Sequence, residues 1–150
     1  MATRKRSKLL PAEESSFCFL DTSALIALAF TGDQNHIDAR RTYDQLRFSG
    51  MLFVMTYFVF AETMIFLRRR ASVQAAIAEG ERLMKSPQVL IVGAAPELHA
   101  TGWQIFKKFQ DWKDLSYTDC LSFALMNQMG ITRAFTFDSD FRIFGFATTP

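Results

Sequence analysis

The segment FCFLDTSALIALAF at residues 17–30 starts as a short apolar run that ends in an acid, Asp21. The segment AFTFD at residues 134–138 ends in the same way, with Asp138. In an open α/β sheet, ligands bind outside the carboxyl ends of the parallel strands. Two strand-end acids therefore predict a shared acidic cluster, and such a cluster predicts a divalent metal. Either acid alone is explained equally well as a turn or helix-cap residue.

The alternation of apolar runs with helical segments predicts the fold. Strands are predicted at residues 17–20, 51–56, 89–92 and 133–137, with a short fifth near 146–148. Helices are predicted at residues 24–30, 35–48, 57–70, 72–85, 96–110 and 116–129. Strands that alternate with helices form parallel βαβ units, and continuous apolar strands belong to a sheet covered on both faces. The sequence thus predicts an α/β fold with three layers, α/β/α, around a parallel sheet of four or five strands.

The composition predicts one domain and an uneven distribution of charge. With 150 residues, 49% of them hydrophobic and 16 of them Phe, the chain is long enough and apolar enough for a substantial core. The formal net charge is only +2, and the basic residues Arg4, Lys5, Arg6 and Lys8 crowd the first ten positions. We expect residues 1–16 to form a flexible basic leader and residues 17–150 to form the folded domain. The balanced charge beyond the leader gives no basic face of the kind that binds duplex nucleic acid tightly.

The cysteines and the first apolar stretch of the sequence indicate the cellular compartment. Cys18 and Cys120 lie in apolar runs without metal-ligand spacing, which indicates buried free thiols in a reducing compartment. The first apolar stretch contains Asp21 and follows Pro11 and Glu13, a pattern unlike that of a signal peptide. No apolar run is long enough to cross a membrane. We therefore expect a cytoplasmic protein with no membrane segment.

Glu62 lies in the segment YFVFAETMIFL at residues 57–67, where nearly every other side chain is apolar. A helix that is apolar nearly all round is largely buried, and an unpaired buried carboxylate is costly. Glu62 therefore needs a cation, a hydrogen-bond donor or a metal. The alternative is an exposed Glu on a narrow polar stripe of the helix.

Further candidate ligands lie near the end of the chain. The pattern Ser116-x-x-Asp119 has the form of a capping box, and an acid in the first turn before the fourth strand also projects toward the strand ends. Asp140 follows the second strand-end acid by two residues and is either a peripheral ligand or a solvated loop acid. The hydroxyls of Thr22, Ser116 and Thr136 are candidate donors to a ligand carboxylate or to water, or else ordinary cap and strand residues. A site made of carboxylates favours Mg²⁺ or Mn²⁺ over Zn²⁺.

Other site chemistries have little support in the sequence. No nucleophile elbow, P-loop or dinucleotide-binding motif occurs. The two histidines, His36 and His99, have no ligand-like neighbours, so we expect them at helix surfaces. Arg68, Arg69 and Arg70 end the third helical segment, and both contact with substrate phosphates and a solvated helix end explain them.

Three blocks of the sequence resemble the PIN-domain nucleases, and most closely the VapC-type toxins of bacterial toxin–antitoxin pairs. The blocks are FLDTSALIAL, TYFVFAETMIFLRR and LSYTDCLSFALMNQMGITRAFTFDSDF, and the similarity spans about residues 17–146. The resemblance implies a PIN fold and a ribonuclease that hydrolyses RNA phosphodiester bonds with Mg²⁺ or Mn²⁺. It carries the family's acidic quartet onto the catalytic candidates Asp21, Glu62, Asp119 and Asp138, with Asp140 as a candidate fifth member.

The resemblance also implies roles and partners. Asp21, Asp119 and Asp138 are expected to bind the metal directly or through water, and Glu62 to bind the metal or orient the attacking water. Toxins of this type pair with a small antitoxin protein and form homodimers, and the aromatic helix at residues 57–67 is one source of apolar surface for either contact. Such toxins usually begin near their first strand, so the basic leader departs from the family pattern.

Three alternatives stay open. A solitary PIN nuclease would process RNA without an antitoxin. A catalytically silent PIN module would serve protein contacts alone. A receiver-type phosphoacceptor domain also uses strand-end acids and Mg²⁺, but it needs an acid pair after the first strand region and a lysine at a later strand end. Here Asp21 stands alone, and no lysine follows Lys113.

Overall fold

The computed structural model describes residues 16–150, which form a five-stranded sheet with helices on both sides. The strands are β1 (Phe17–Leu20), β2 (Leu52–Thr56), β3 (Val89–Val92), β4 (Arg133–Phe135) and β5 (Ala147–Thr149). The helices are α1 (Thr22–Ala29), α2 (His36–Phe48), α3 (Tyr57–Arg70), α4 (Val73–Lys85), α5 (Pro96–Lys108), α6 (Tyr117–Met129) and α7 (Asp140–Ile143). The predicted leader, apart from residue 16, lies outside the described residues.

The strand order is β3-β2-β1-β4-β5, and every neighbouring pair is parallel. This order confirms the predicted α/β/α fold and settles the number of strands in the described part at five. The chain steps from β1 to β2 and β3 in one direction and then crosses back to β4 and β5. Because parallel crossovers are right-handed, the two directions place α1 to α4 on one face of the sheet and α5 to α7 on the other.

The reversal of direction between β1 and β4 positions the candidate site. In the register of this pair, Phe19 lies beside Ala134 and Leu20 beside Phe135. The pairing extends one step further, because the backbone N–H of Asp21 donates to the carbonyl oxygen of Phe135 at 3.1 Å. Ligands of open α/β sheets bind at such a topological switch point, outside the carboxyl ends of the strands. The two strand-end acids of the sequence therefore lie on adjacent strands at that point.

Aromatic packing holds the last helices against the sheet. Phe123 of α6 is fully buried and stacks on Phe144 with ring centroids 4.3 Å apart. Its ring also meets the ring of Phe141 edge-on at 5.0 Å. Full burial of one such side chain contributes about 1.5–3 kcal/mol. This cluster fixes α6 and α7 relative to each other, and both helices carry candidate ligands at their N-termini.

The apolar helix α3 is less buried than its composition predicts. Val59, Thr63 and Leu67 face the core, whereas Tyr57 and Ile65 each expose 52% of their surface. Within residues 16–150, no helix is both long and apolar enough to span a membrane. The helix therefore covers the sheet with one apolar face and leaves a second apolar face uncovered.

Most predicted elements begin and end within two residues of the observed ones. The strand β4 ends at Phe135 rather than at residue 137, because the chain turns at Thr136, whose hydroxyl accepts a hydrogen bond from the Asp138 N–H at 2.9 Å. The helix α5 ends at Lys108, two residues early. The helix α7 was not predicted, because four residues are too few to show a helical period.

Candidate active site

Three carboxylates meet beyond the carboxyl ends of β1 and β4. Asp119 lies in the first turn of α6, Asp138 in the loop after β4, and Asp140 at the start of α7. Each contributes one oxygen atom to a group in which all atoms lie within 4.8 Å of one another, and each residue is half-buried. Carboxylate oxygens this close repel one another unless a cation lies between them. Asp140, which the sequence left open as a peripheral acid, belongs to this group.

Asp21 is buried beside this group and is the N-cap of α1. Its Oδ2 atom accepts hydrogen bonds from the Ser23 N–H at 3.2 Å, the Ser23 hydroxyl at 2.6 Å and the Thr136 hydroxyl at 2.8 Å. Burial raises the pKa of Asp21 to about 6, these hydrogen bonds oppose the rise, and repulsion from Asp119 adds to it. The cap role and the site role therefore coexist, because these hydrogen bonds use Oδ2 and leave Oδ1 for another partner.

Two hydroxyls connect the ends of the two central strands. The Thr136 hydroxyl donates to Asp21 and accepts the N–H of Asp138 at 2.9 Å. The Ser23 hydroxyl donates to Asp21 and accepts the N–H of Phe137 at 2.9 Å. These bonds hold the turn after β4 against the start of α1. Thr136 was a sequence candidate, whereas Ser23 was missed, although its place in a D-T-S run directly after a strand was a usable signal.

Glu62 of α3 receives a hydroxyl on each carboxylate oxygen. The Thr22 hydroxyl donates to Oε2 at 3.0 Å, and the Thr118 hydroxyl donates to Oε1 at 2.8 Å. The residue is half-buried, so it is not the exposed acid of the alternative interpretation. Thr118 was missed by sequence reasoning; its only local signal is its position directly before Asp119. The two threonines fix the carboxylate plane of Glu62 between α1 and α6.

Asp119 combines helix capping with membership of the acidic group. The N–H and the hydroxyl of Ser116 both donate to its Oδ2 atom, at 3.0 and 2.8 Å. The Asp119 N–H donates in return to the Ser116 hydroxyl oxygen at 3.0 Å, which completes the predicted capping box. Burial raises the pKa of Asp119, the bonds from Ser116 oppose the rise, and the charges of Asp138 and Glu62 add to it. Glu62 therefore lies within electrostatic reach of the acidic group, because its charge raises the pKa of Asp119 and its carboxylate bonds to the adjacent Thr118.

No cation of residues 16–150 forms an ion pair with these acids. Burial, reinforced by Asp138 and Asp114, also raises the pKa of Asp140. Within residues 16–150, the ion pairs all lie on α2 and α4, and none involves a site acid. A cluster of unneutralised carboxylates is suited to a hard divalent cation with oxygen ligands, such as Mg²⁺ or Mn²⁺.

The histidines lie elsewhere, on α2 and α5 as expected, but each is half-buried rather than exposed at the helix surface. His36 is half-buried, with its Nδ1 atom 2.7 Å from the carbonyl oxygen of Ala27. His99 is also half-buried, with Nδ1 3.0 Å from the Tyr117 hydroxyl and its ring against Phe58. Each therefore joins neighbouring elements through hydrogen bonds or ring packing.

Comparison with known proteins gives one consistent result. The family model of the PIN domain matches residues 18–147. Two relatives, both named 23S rRNA-specific endonuclease VapC20 and both from Mycobacterium tuberculosis (strains CDC 1551 / Oshkosh and ATCC 25618 / H37Rv), are 34% identical over 129 residues. Each alignment covers 85% of this chain and 94% of the relative. The crystal structure of M. tuberculosis VapC20, described as a sarcin–ricin loop cleaving toxin, has a TM-score of 0.79 and 30% identity, and the match covers 87% of this chain and 96% of that one.

Proposed function

The chain belongs to the PIN-domain family, and we propose on this premise that it is a metal-dependent endoribonuclease of the VapC toxin type. The observation that carries the proposal is the group of Asp119, Asp138 and Asp140 oxygens within 4.8 Å at the switch point of the sheet. The similarity over 85% of the chain to an endonuclease that acts on 23S rRNA supports RNA as the substrate.

The acidic group fits a divalent metal, Mg²⁺ or Mn²⁺. Asp119, Asp138 and Asp140 would hold the ion together with Asp21, whose hydrogen bonds to Ser23 and Thr136 use only Oδ2. The fit rests on the donor set, because all the ligand atoms are carboxylate oxygens and no basic side chain of residues 16–150 pairs with them. When bound, such an ion lowers the pKa of a coordinated water and stabilises charge on the phosphate.

Glu62 orients the nucleophile in this proposal. With Thr22 and Thr118 each donating to one of its oxygens, its carboxylate has a fixed direction and keeps lone pairs free to accept a further hydrogen bond. A water that donates to Glu62 would therefore be aligned for attack on a phosphate held at the acidic group. Alignment of this kind lowers the entropic part of the barrier.

Substitution of the acids tests the proposal. The variants Asp119→Asn and Asp138→Asn keep side-chain size but remove charge, and we expect each to reduce Mg²⁺- or Mn²⁺-dependent cleavage of 23S rRNA on the order of a hundredfold or more. The variant Asp111→Asn, at an exposed loop acid, is the matched control and should cleave at the wild-type rate. Wild-type rates in the two site variants would refute the assignment.

The sarcin–ricin loop is the first substrate to test, because the structural neighbour is named for cleaving it. A transcript of that loop should be cut at one position and a scrambled hairpin left intact. Cleavage of other RNA but not of this loop would support the nuclease activity and show that its substrate is a different RNA. Absence of any RNA cleavage together with absence of divalent-metal binding by calorimetry would instead favour the catalytically silent module.

The proposed partners are a small antitoxin and a second copy of the chain. Exposed apolar side chains on α3 and α5 support a protein contact: Tyr57 and Ile65 are each 52% exposed, and Trp103 is 50% exposed. Sedimentation of the purified chain tests the homodimer. A small open reading frame next to the gene that encodes a DNA-binding protein would support the toxin, and its absence would favour the solitary nuclease.

We also propose a cytoplasmic location, because an RNA substrate is found there. The state of the cysteines supports it: Cys18 and Cys120 are buried free thiols, and burial raises the pKa of Cys18 to about 12 and that of Cys120 to about 11. Such thiols are inert and need no oxidising compartment. Fractionation of cells with a tagged chain tests the location.

A further inference from the structure

Two arginines share a cleft with a site acid. The cleft is an open surface groove with a volume of about 620 Å³, and the residues that line it all belong to α3: Glu62, Ile65, Phe66, Arg69 and Arg70. Both arginines are exposed, and neither forms an ion pair with any residue of the described chain. Two positive charges without an ion pair in the described chain therefore line the same groove as Glu62.

The geometry of α3 explains why only two of its three terminal arginines line this cleft. Arg69 follows Glu62 by seven residues, which is about 10 Å along the axis and only about 20° around it. Arg70 lies about 80° around the helix from Glu62, whereas Arg68 lies about 120° away on the other side. In the last turn of α3, Arg69 and Arg70 therefore face the cleft and Arg68 faces away from it.

Electrostatics indicate what these cations are for. The acidic group would repel a polyanionic RNA strand. Arg41, Arg47, Arg82 and Lys85 are held in ion pairs on α2 and α4, whereas Arg69 and Arg70 form none with the described residues. Positive charges in the cleft of Glu62 would offset part of that repulsion for a strand that runs along it. A planar guanidinium also matches two oxygens of one phosphate, which an ammonium group does not.

We propose that Arg69 and Arg70 bind a backbone phosphate that flanks the scissile bond of the RNA strand. The inference rests on the proposed function, since it assumes that RNA enters the site. The arginines are positioning residues: they hold the strand across the cleft, so that the scissile phosphate lies at the acidic group. The competing account is that all three arginines only complement the dipole at the C-terminus of α3.

Binding without cleavage separates the two accounts. The full chain is titrated in EDTA against a short fluorescein-labelled single-stranded RNA, and anisotropy is measured at several salt concentrations. We expect Arg69→Ala and Arg70→Ala each to weaken binding about fivefold at low salt. Each should also reduce the slope of log affinity against log salt by about 0.7. Arg68→Ala, which removes the same charge from the same helix turn, is the matched control and should leave both quantities unchanged.

Cleavage kinetics and a charge-retaining variant complete the test. With the proposed activity present, Arg69→Ala should raise KM and leave kcat unchanged, because the contact is the same in ground and transition states. The double variant Arg69→Lys/Arg70→Lys should keep the wild-type salt slope. Lower melting temperatures without loss of RNA affinity would overturn the inference in favour of the dipole account, and so would an Arg68→Ala effect equal to that of Arg69→Ala.

The inference and the proposed function can fail separately. If wild-type protein cleaves RNA but Arg69→Ala and Arg70→Ala bind it normally, the proposed nuclease activity is supported and the proposed phosphate site is wrong. If the two variants lose affinity but wild-type protein cleaves no RNA with Mg²⁺ or Mn²⁺, the phosphate site stands and the activity is wrong. If wild-type protein does not bind RNA, the phosphate site is also wrong.

Discussion

Replacement of Asp21 by Asn is expected to stabilise the metal-free protein while it abolishes RNA cleavage. Burial raises the pKa of this carboxyl from 3.8 to about 6, although Ser23 and Thr136 donate hydrogen bonds to it. The ionised side chain is therefore disfavoured in its own site when no cation is present. Asn removes the charge and keeps an oxygen that can cap α1.

The magnitude follows from the pKa shift of Asp21. One unit corresponds to about 1.4 kcal/mol. A rise from 3.8 to about 6 therefore means that ionised Asp21 lowers the free energy of unfolding by about 3 kcal/mol above pH 6. Loss of the charge-assisted hydrogen bonds offsets part of the gain. We expect Asp21→Asn to be about 1–3 kcal/mol more stable than wild type at pH 8.

The raised pKa of Asp21 also determines whether the folded protein becomes more or less stable as the pH rises. Because the folded protein binds this proton more tightly than the unfolded chain does, stability falls as the pH rises. The fall takes place between about pH 4 and pH 6, where the folded form is protonated and the unfolded form is not. The difference between Asp21→Asn and wild type should therefore be absent below about pH 4 and complete above about pH 6.

Urea unfolding in EDTA, followed by circular dichroism across this pH range, measures the difference. Asp111→Asn, an exposed acid, is the control and should follow wild type at every pH. Added Mg²⁺ should stabilise wild type by mass action and Asp21→Asn less. A variant that is less stable than wild type at pH 8, or a difference that does not change with pH, would refute the reasoning.

Three further substitutions test the supports of the site. Thr118→Val removes the hydroxyl that donates to Glu62 and should slow single-turnover cleavage about tenfold with little change in melting temperature; an unchanged rate would contradict the role given to Glu62. Ser116→Ala removes the cap of α6 and should lower the free energy of unfolding by about 1 kcal/mol, measured in urea, with Ser86→Ala as a control without a capping box. Phe123→Ala should cost about 3–5 kcal/mol by the same measurement, and a cost below about 1 kcal/mol would mean that the aromatic cluster repacks.

Sequence patterns predicted nearly all of the elements and named as candidates the acids that the structure brings together. Each strand is a short apolar run, and each long helix has a cap or stop signal of its own, such as Ser116 before α6 or Gly130 after it. These signals are local, so they can be read without the tertiary structure. Helix α7 is the exception, because four residues are too few to show a helical period. The sequence therefore does not distinguish whether its N-terminal acid, Asp140, is a ligand or a loop residue.

The supporting contacts of the site could not be predicted in the same way. Thr118 bonds to Glu62 across 56 residues of sequence, and Ser23 bonds to the N–H of Phe137 across 114. Neither hydrogen bond can be recognised from the sequence, because a threonine or serine beside an acid is common in caps and turns. Only the packing of α1, α3 and α6 around the strand ends makes these hydroxyls partners of the acids.

The sequence by itself determined the parallel α/β class, the approximate element boundaries and the set of candidate acids, because hydrophobic period and capping chemistry act over a few residues. The tertiary structure decided the strand order, which places β1 beside β4 and so brings Asp21 to the turn that carries Asp138. It also decided that Asp140 joins Asp119 and that Arg69, rather than Arg68, lies in the cleft of Glu62. The physical reason is that a charge cluster depends on distances between residues far apart in the chain, and those distances are set by strand pairing and helix packing.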